Sequence, residues 1–351
     1  MYSRQINVLI VDDSPVARDL LAYIIQSDPQ LKVMGFAENG EDALNFLKNQ
    51  TPDVIIMDIV MPKMNGFELT RRIMQTHPIP IIVVSGIYNK DEVNKSFKAI
   101  EAGALAILEK PKGIGSTQYL DTARFVIETI KAMSEVKMAA YKSAPEPAVI
   151  TEAEEPAAQK KGKAKIEAVA IGASIGGPQA LASILSKLPA TLPVPIFIVQ
   201  HISGGFVQGL VSWLNESTSL NVKLAKNEEE ALPGYVYIAP DKTQMRIQSG
   251  NKIQLVEDLS ENAPAPSIAS LFNSMSNVYG PNCLAIILTG VGRDGAEDLL
   301  LIKQKGGITI AQNEESSVMF DMPKQAIQLG AATRVEPLQF IPTIISTLIN
   351  P

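Results

Sequence analysis

The chain contains two histidines, and only His201 lies in its C-terminal half, so any imidazole chemistry there must use His201. It closes the run Pro195-Ile-Phe-Ile-Val-Gln-His201, an apolar stretch of strand length; strand ends in α/β proteins are where catalytic groups gather. Upstream, Ala168-Val-Ala-Ile-Gly172-Ala-Ser174-Ile-Gly176-Gly177 reads as a strand entering a G-x-S-x-G turn, which presents a serine hydroxyl. Downstream, Leu284-Ala-Ile-Ile-Leu-Thr-Gly290-Val-Gly292-Arg-Asp294-Gly295 reads as a strand that ends in a glycine-flanked aspartate. A serine hydroxyl is a poor nucleophile at neutral pH unless a base takes its proton, and the base needs a carboxylate to hold its tautomer. Ser174, His201 and Asp294 are the candidates for nucleophile, base and orienting acid. The alternative for the glycine turn, a phosphate-cradling loop, fails on spacing: there is no G-x-G-x-x-G and no following Gly-Lys-Ser/Thr.

A second constellation lies in the N-terminal half. Carboxylates stand where the first strand-like run ends (Asp12, Asp13) and where the third ends (Asp58); Ser85 follows the fourth and Lys110 the fifth. All five fall on the carboxyl edge of one expected sheet, where ligands bind in this architecture. Three carboxylates repel one another unless a cation intervenes, and hard oxygen ligands suit Mg²⁺. Asp58 would then attack a phosphoryl group whose oxygens the metal and Lys110 neutralise.

The elements that must position these residues follow from periodicity. Short β-type runs at residues 6–11, 54–57, 81–84 and 104–108 alternate with helix-length segments at 15–26, 42–50 and 91–102. After residue 165 the alternation resumes, with strands at 168–171, 196–200, 235–239 and 284–288 and helices at 178–188 and 206–215. This pattern predicts an α/β protein of two doubly wound parallel-sheet domains, at residues 1–133 and 166–351. Between them, residues 134–165 are rich in Ala, Pro, Glu and Lys and read as a flexible linker, with Glu152, Glu154 and Glu155 ahead of Lys160, Lys161 and Lys163. Phe206, Leu210 and Trp213 share one helical face, for which core packing is a better account than ligand stacking.

Bulk properties narrow the class. At 351 residues the chain suits two ordinary domains. Its apolar stretches fall short of the roughly 20 residues a membrane helix needs, and no secretory signal pattern opens the sequence, so a cytoplasmic protein without membrane insertion is expected. The net charge of −6 argues against nucleic acid as a partner. A single cysteine, Cys283, leads an apolar run and is expected to be an inert core thiol.

Residues 4–130 resemble a two-component receiver domain. The resemblance rests on Val11-Asp12-Asp13-Ser14, Met57-Asp58-Ile-Val-Met-Pro62-Lys-Met-Asn-Gly66, Ser85-Gly86 and Glu109-Lys110-Pro111. It implies that Asp58 is the phosphoacceptor, with Asp12, Asp13, Asp58 and the Val60 carbonyl around Mg²⁺. It further implies that Ser85 and Lys110 contact the phosphoryl group and that a histidine kinase is the phosphodonor. In the C-terminal half the chain order is Ser, His, Asp, and no histidine follows Asp294, which disfavours an α/β-hydrolase. That order resembles the catalytic domain of the chemotaxis protein-glutamate methylesterases. The likeness is carried by Ile171-Gly-Ala-Ser174-Ile-Gly-Gly-Pro178, Val199-Gln-His201, Pro233-Gly-Tyr-Val-Tyr-Ile-Ala-Pro240, Leu288-Thr-Gly-Val-Gly-Arg-Asp294-Gly and Ala311-Gln-Asn-Glu-Glu-Ser-Ser317.

That resemblance implies a cytoplasmic enzyme that hydrolyses glutamyl methyl esters on chemoreceptor cytoplasmic helices, deamidates receptor glutamines, and uses no cofactor for ester hydrolysis. The backbone N–H groups of Ile175 and Val291 would hold the oxyanion. An unphosphorylated receiver would obstruct the site. Several positions depart from the family pattern: Ser203-Gly204 where a proline is usual, Val291 for methionine, Glu261-Asn-Ala-Pro-Ala where His-Arg commonly precedes Pro266-Ser267, and Ala269 for aspartate. These leave the three candidate catalytic side chains in place and bear on receptor docking. The competing reading, a phosphorylation-controlled scaffold with a vestigial esterase site, requires a missing catalytic member, and none is missing. A DNA-binding output would need a basic recognition helix that the sequence lacks.

Overall fold

The computed structural model describes residues 4–86, 90–136, 138, 165–258 and 265–349. In the N-terminal half, β1 (Ile6–Val11), β2 (Leu31–Ala37), β3 (Val54–Asp58), β4 (Ile81–Ser85) and β5 (Ala106–Glu109) form a parallel sheet in the order β2-β1-β3-β4-β5. The crossovers contain α1 (Pro15–Gln26), α2 (Gly40–Leu47), α3 (Gly66–Thr76) and α4 (Lys90–Glu101), and α5 (Tyr119–Ser134) follows β5. β3 and β4 are buried along their whole length, as strands covered by helices on both faces must be, and they read accordingly as unbroken apolar runs. Helix starts are chemically marked: Ser14 accepts a hydrogen bond from the Ala17 N–H ahead of Pro15, and Asn65 accepts one from the Glu68 N–H. The chain leaves β1 toward β2, then returns to the other side of β1 for β3. The carboxyl ends of β1 and β3 therefore border a crevice at this reversal.

The second sheet repeats the device at larger size. Its seven parallel strands run in the order β14-β13-β12-β6-β7-β9-β8. They are β6 (Ala168–Ala173), β7 (Ile196–Gln200), β8 (Asn221–Leu224), β9 (Tyr235–Ile238), β12 (Cys283–Ile287), β13 (Ile308–Gln312) and β14 (Arg334–Glu336). An antiparallel hairpin, β10 (Thr243–Gln248) with β11 (Lys252–Glu257), stands outside the sheet and was not anticipated from periodicity. The helices are α6 (Gly177–Leu185), α7 (Val207–Ser217), α8 (Ile268–Val278), α9 (Ala296–Gln304), α10 (Asp321–Gln328) and α11 (Ile341–Ile349). The reversal falls between β6 and β12, the central strands that lead to Ser174 and toward Asp294. Cys283 is fully buried, and burial pushes its thiol well above the usual range, as expected of an inert core residue.

One expectation is corrected. The segment assigned to a linker from residue 134 begins inside α5, which runs through Ser134, and Met138 is helical and buried. Residues 137 and 139–164, with the acidic and basic runs at 152–163, lie outside the described residues. Phe206, Leu210 and Trp213 are buried, as core packing requires, and Trp213 packs against the other half of the chain. Its ring stacks on Phe97 of α4 at 5.6 Å and 24°, and its indole N–H donates to Glu101 Oε1 at 2.6 Å. The Gln179 carboxamide in α6 donates to the Ala104 carbonyl at the approach to β5. A helical face that seals a neighbouring domain is as apolar as one that seals its own core, so periodicity does not separate the two.

Candidate functional site

Ser174 follows β6 directly, and three local features hold its turn. Its N–H donates to the Thr289 carbonyl at 3.0 Å, its carbonyl accepts from the Gly177 N–H at 2.8 Å, and Gly176 adopts φ +76°, a left-handed conformation that side-chain-bearing residues adopt at a steric cost. Gly290 admits the turn from the neighbouring strand end. A Cβ there would lie 2.6 Å from the Ser174 Cβ and 2.3 Å from Met322 Sδ. His201 follows β7, with its N–H donating to the Ala173 carbonyl at 2.9 Å. Asp294 follows β12 and lies 2.9 Å, Oδ2 to Nε2, from the His201 ring. The three candidates from three strand ends thus meet on one edge of the sheet.

Asp294 is anchored as an orienting acid should be. Its two oxygens accept from the Ile268 and Ala269 N–H groups at 2.7 and 3.0 Å, at the start of α8, where the helix dipole also favours negative charge. Burial by itself would push this carboxyl up, but the His201 contact and the two backbone donors outweigh it and hold the group below its ordinary value. With Nε2 turned to Asp294, Nδ1 is the remaining ring nitrogen. The Ile175 and Val291 N–H groups donate to no protein acceptor among the described residues. Both residues line the cleft that contains Ser174 and His201.

A layer of buried polar side chains beneath the cluster was not singled out in the sequence. Gln200, at the end of β7, donates from Nε2 to the carbonyls of Ser174 (2.7 Å) and His201 (2.8 Å). The Thr289 hydroxyl donates to the Ile175 carbonyl at 2.9 Å and accepts from the Met319 N–H, while the Thr289 N–H donates to Gln312 Oε1. The signal was present: each is a polar residue closing an apolar strand run, and burial of such a group requires hydrogen-bond partners.

The N-terminal crevice gathers the other candidates. Oxygens of Asp12, Asp13 and Asp58 lie within 4.8 Å of one another, and Lys110 Nζ is 2.9 Å from both Asp12 and Asp58. Burial pushes the Asp58 carboxyl up to about 6; the Lys110 hydrogen bond and charge pull against this, and the Asp12 charge adds to it. One ammonium among three carboxylates leaves excess negative charge on hard oxygen donors, a set that fits a divalent cation. The Val60 N–H donates to Asp58 Oδ1 at 3.3 Å, and the buried Ser85 hydroxyl donates to the Gly86 carbonyl at 3.2 Å.

The two regions share a wall. A cleft of about 560 Å³ contains Ser174, His201 and Val291 on one side and Glu109, Phe125 and Thr129, from β5 and α5, on the other. A second cleft, of about 570 Å³, lies between the β10–β11 hairpin and α8 and includes none of the candidate site residues. No helix among the described residues is long and apolar enough to cross a membrane.

An acidic, lysine-paired pocket at the carboxyl edge of one parallel sheet, and Ser174, His201 and Asp294 gathered at the edge of another, define the class: a receiver joined to a serine-hydrolase-type domain. Residues 8–118 match the response regulator receiver domain family, and residues 169–345 match the CheB methylesterase family. The chain is 48% identical to a protein-glutamate methylesterase/protein-glutamine glutaminase of Nitrosospira multiformis, covering 98% of this chain and 97% of that one. It is 46% identical to a similarly named protein of Syntrophus aciditrophicus, with 98% of each covered. The crystal structure of the Thermotoga maritima CheB methylesterase catalytic domain is similar at 36% identity and a TM-score of 0.50, over 52% of this chain and 99% of that one. The chain belongs to the family of receiver-linked CheB methylesterases.

Proposed function

We propose that this protein hydrolyses glutamyl methyl esters on chemoreceptor helices, and deamidates receptor glutamines, under the control of phosphorylation at Asp58. Ser174 Oγ attacks the ester carbonyl while His201 Nδ1 takes its proton; the same proton then leaves with methoxide as methanol. Water, activated by the same base, releases the acyl group from Ser174. With a glutamine substrate the departing group is ammonia. Asp294 holds the ring and stabilises the imidazolium, and the Ile175 and Val291 N–H groups receive the oxyanion, each such donor being worth about 10²–10³ in rate. The observation that carries this reading is the His201–Asp294 contact of 2.9 Å, with the carboxylate anchored by two backbone donors.

In the receiver, Asp12, Asp13, Asp58 and the Val60 carbonyl would hold Mg²⁺, which supplies charge neutralisation for phosphoryl oxygens. An Asp58 oxygen attacks the phosphorus of a histidine-kinase phosphohistidine, the P–N bond breaks and the kinase's imidazole leaves, Lys110 pairs with the transferred group, and the Ser85 hydroxyl exchanges its Gly86 bond for a phosphoryl oxygen. The wall that β5 and α5 set across the cleft supports obstruction of the site by the unphosphorylated receiver. Ser203 and Gly204, which depart from the family pattern, also line that cleft, where they would shape receptor docking. The test is methanol release from methylated receptor. Ser174→Ala should abolish it with the fold intact, since the change removes one oxygen and no packing carbon; residual activity near wild type would refute the assignment.

A further inference from the structure

We propose that Gln200 is a positioning residue for the hydrolytic reaction, setting the separation of nucleophile and base. The inference rests on the reading of Ser174 and His201 in those roles. The backbone ladder between β6 and β7 runs as far as Ala173 opposite Gln200, with a last bond from the His201 N–H to the Ala173 carbonyl. Beyond that point the two chains part, one into the turn before α6 and the other into the loop after His201. The Gln200 side chain spans the gap. Its two amide hydrogens go to the carbonyls of the two residues whose side chains react, at 2.7 Å to Ser174 and 2.8 Å to His201. The opposite amide orientation would set an oxygen against two carbonyl oxygens, so chemistry fixes this one.

Stability alone does not select a glutamine here, because what its two donated bonds contribute at the Ser174 and His201 carbonyls is offset by a stranded acceptor. The residue is 3% exposed, and its Oε1 is buried with no hydrogen-bond partner, a costly arrangement that an apolar side chain of similar volume would avoid. The neighbouring turn is also shaped around it: a Cβ on Gly177 would lie 2.0 Å from Gln200 Oε1. The other bonds on the Ser174 backbone, to Thr289 and Gly177, fix the turn to β12 and to α6. The Gln200 amide ties the Ser174 backbone directly to the strand end that carries the base. Displacement of a reacting group by roughly 1 Å can cost about 100-fold in rate.

The test uses the full chain treated with a small phosphodonor, with methanol release from methylated receptor and modification of Ser174 by a fluorophosphonate as readouts. Gln200→Met keeps the volume and removes both the donors and the orphan acceptor. Expected are a thermal stability lowered modestly at most, with the protein still folded at the assay temperature, a kcat lowered roughly 10- to 100-fold, labelling slowed in proportion, and KM changed by no more than about twofold. Gln200→Glu keeps the shape. When protonated it donates to one carbonyl, and when ionised it sets charged oxygens against both. Its activity should therefore fall as pH rises, a descending limb that the wild type lacks. A purely structural role would not add that limb. Wild-type kcat and labelling in Gln200→Met overturn the proposal, as do losses explained entirely by unfolded protein or a Gln200→Glu profile that superimposes on wild type. Methanol release surviving in Ser174→Ala would mark failure of the nucleophile assignment instead.

Discussion

Alanine at position 209 should drive the two halves of the chain apart while leaving each intact. Gly209 lies within α7, where alanine is the better helix former by about 1 kcal/mol, so the methyl group does not harm its own domain. The obstacle comes from the receiver. A Cβ at 209 would lie 2.2 Å from Val93 Cγ1 and 2.8 Å from Phe97 Cε2. Val93 is β-branched and stiff, and Phe97 is 1% exposed and stacked on Trp213, so neither side chain can swing clear. Overpacking of this kind costs about 1–3 kcal/mol, which lowers the docking equilibrium constant by roughly 5- to 150-fold. If the docked receiver obstructs the Ser174 cleft, unphosphorylated Gly209→Ala should release methanol from methylated receptor faster than wild type by up to that factor. The ceiling is the rate of a fragment beginning near Lys165, and a phosphodonor should add correspondingly less. The same substitution in the fragment should change nothing. Wild-type basal activity in full-length Gly209→Ala, or a fragment no faster than the unphosphorylated chain, would refute obstruction.

His201→Ala should lose as much esterase activity as Ser174→Ala, and the double variant no more than either, because the pair acts as one unit; additive losses in methanol release would assign separate roles. Asp58 should accept phosphate from a small phosphodonor only with Mg²⁺ present, and labelling that persists in excess chelator or in Asp58→Ala would exclude the assigned pocket. The Asp58 carboxyl titrates at about 6 in the folded chain against an ordinary 3.8, so the fold favours its protonated form; that contribution is present below about pH 4 and is lost as pH rises through 6. Asp58→Asn, neutral throughout, should therefore stabilise the receiver against urea above pH 6 by up to roughly 3 kcal/mol without divalent cation, and little below pH 4. Equal effects at both pH values would contradict this.

The chemistry-bearing residues were legible in the sequence because each follows an apolar run long enough to be a buried strand. Asp12 and Asp58 end such runs in one half, and Ser174, His201 and Asp294 follow them in the other. Runs buried on both faces also announce a parallel sheet, since alternation is lost when helices cover both sides. Spacing alone does not say which strands are neighbours. Only the folded chain places β12 beside β6, and so Asp294 beside His201, because strand pairing is a long-range choice among runs of nearly identical composition. The same limit hid what Gln200, Thr289 and Gln312 do, because each bonds a turn or loop distant in sequence. It hid the Trp213–Glu101 contact as well, because an apolar helical face reports that it is buried and not what buries it. The receiver wall across the Ser174 cleft was likewise decided by tertiary structure: burial is written locally in a sequence, while the partner in burial is fixed only when distant segments pack.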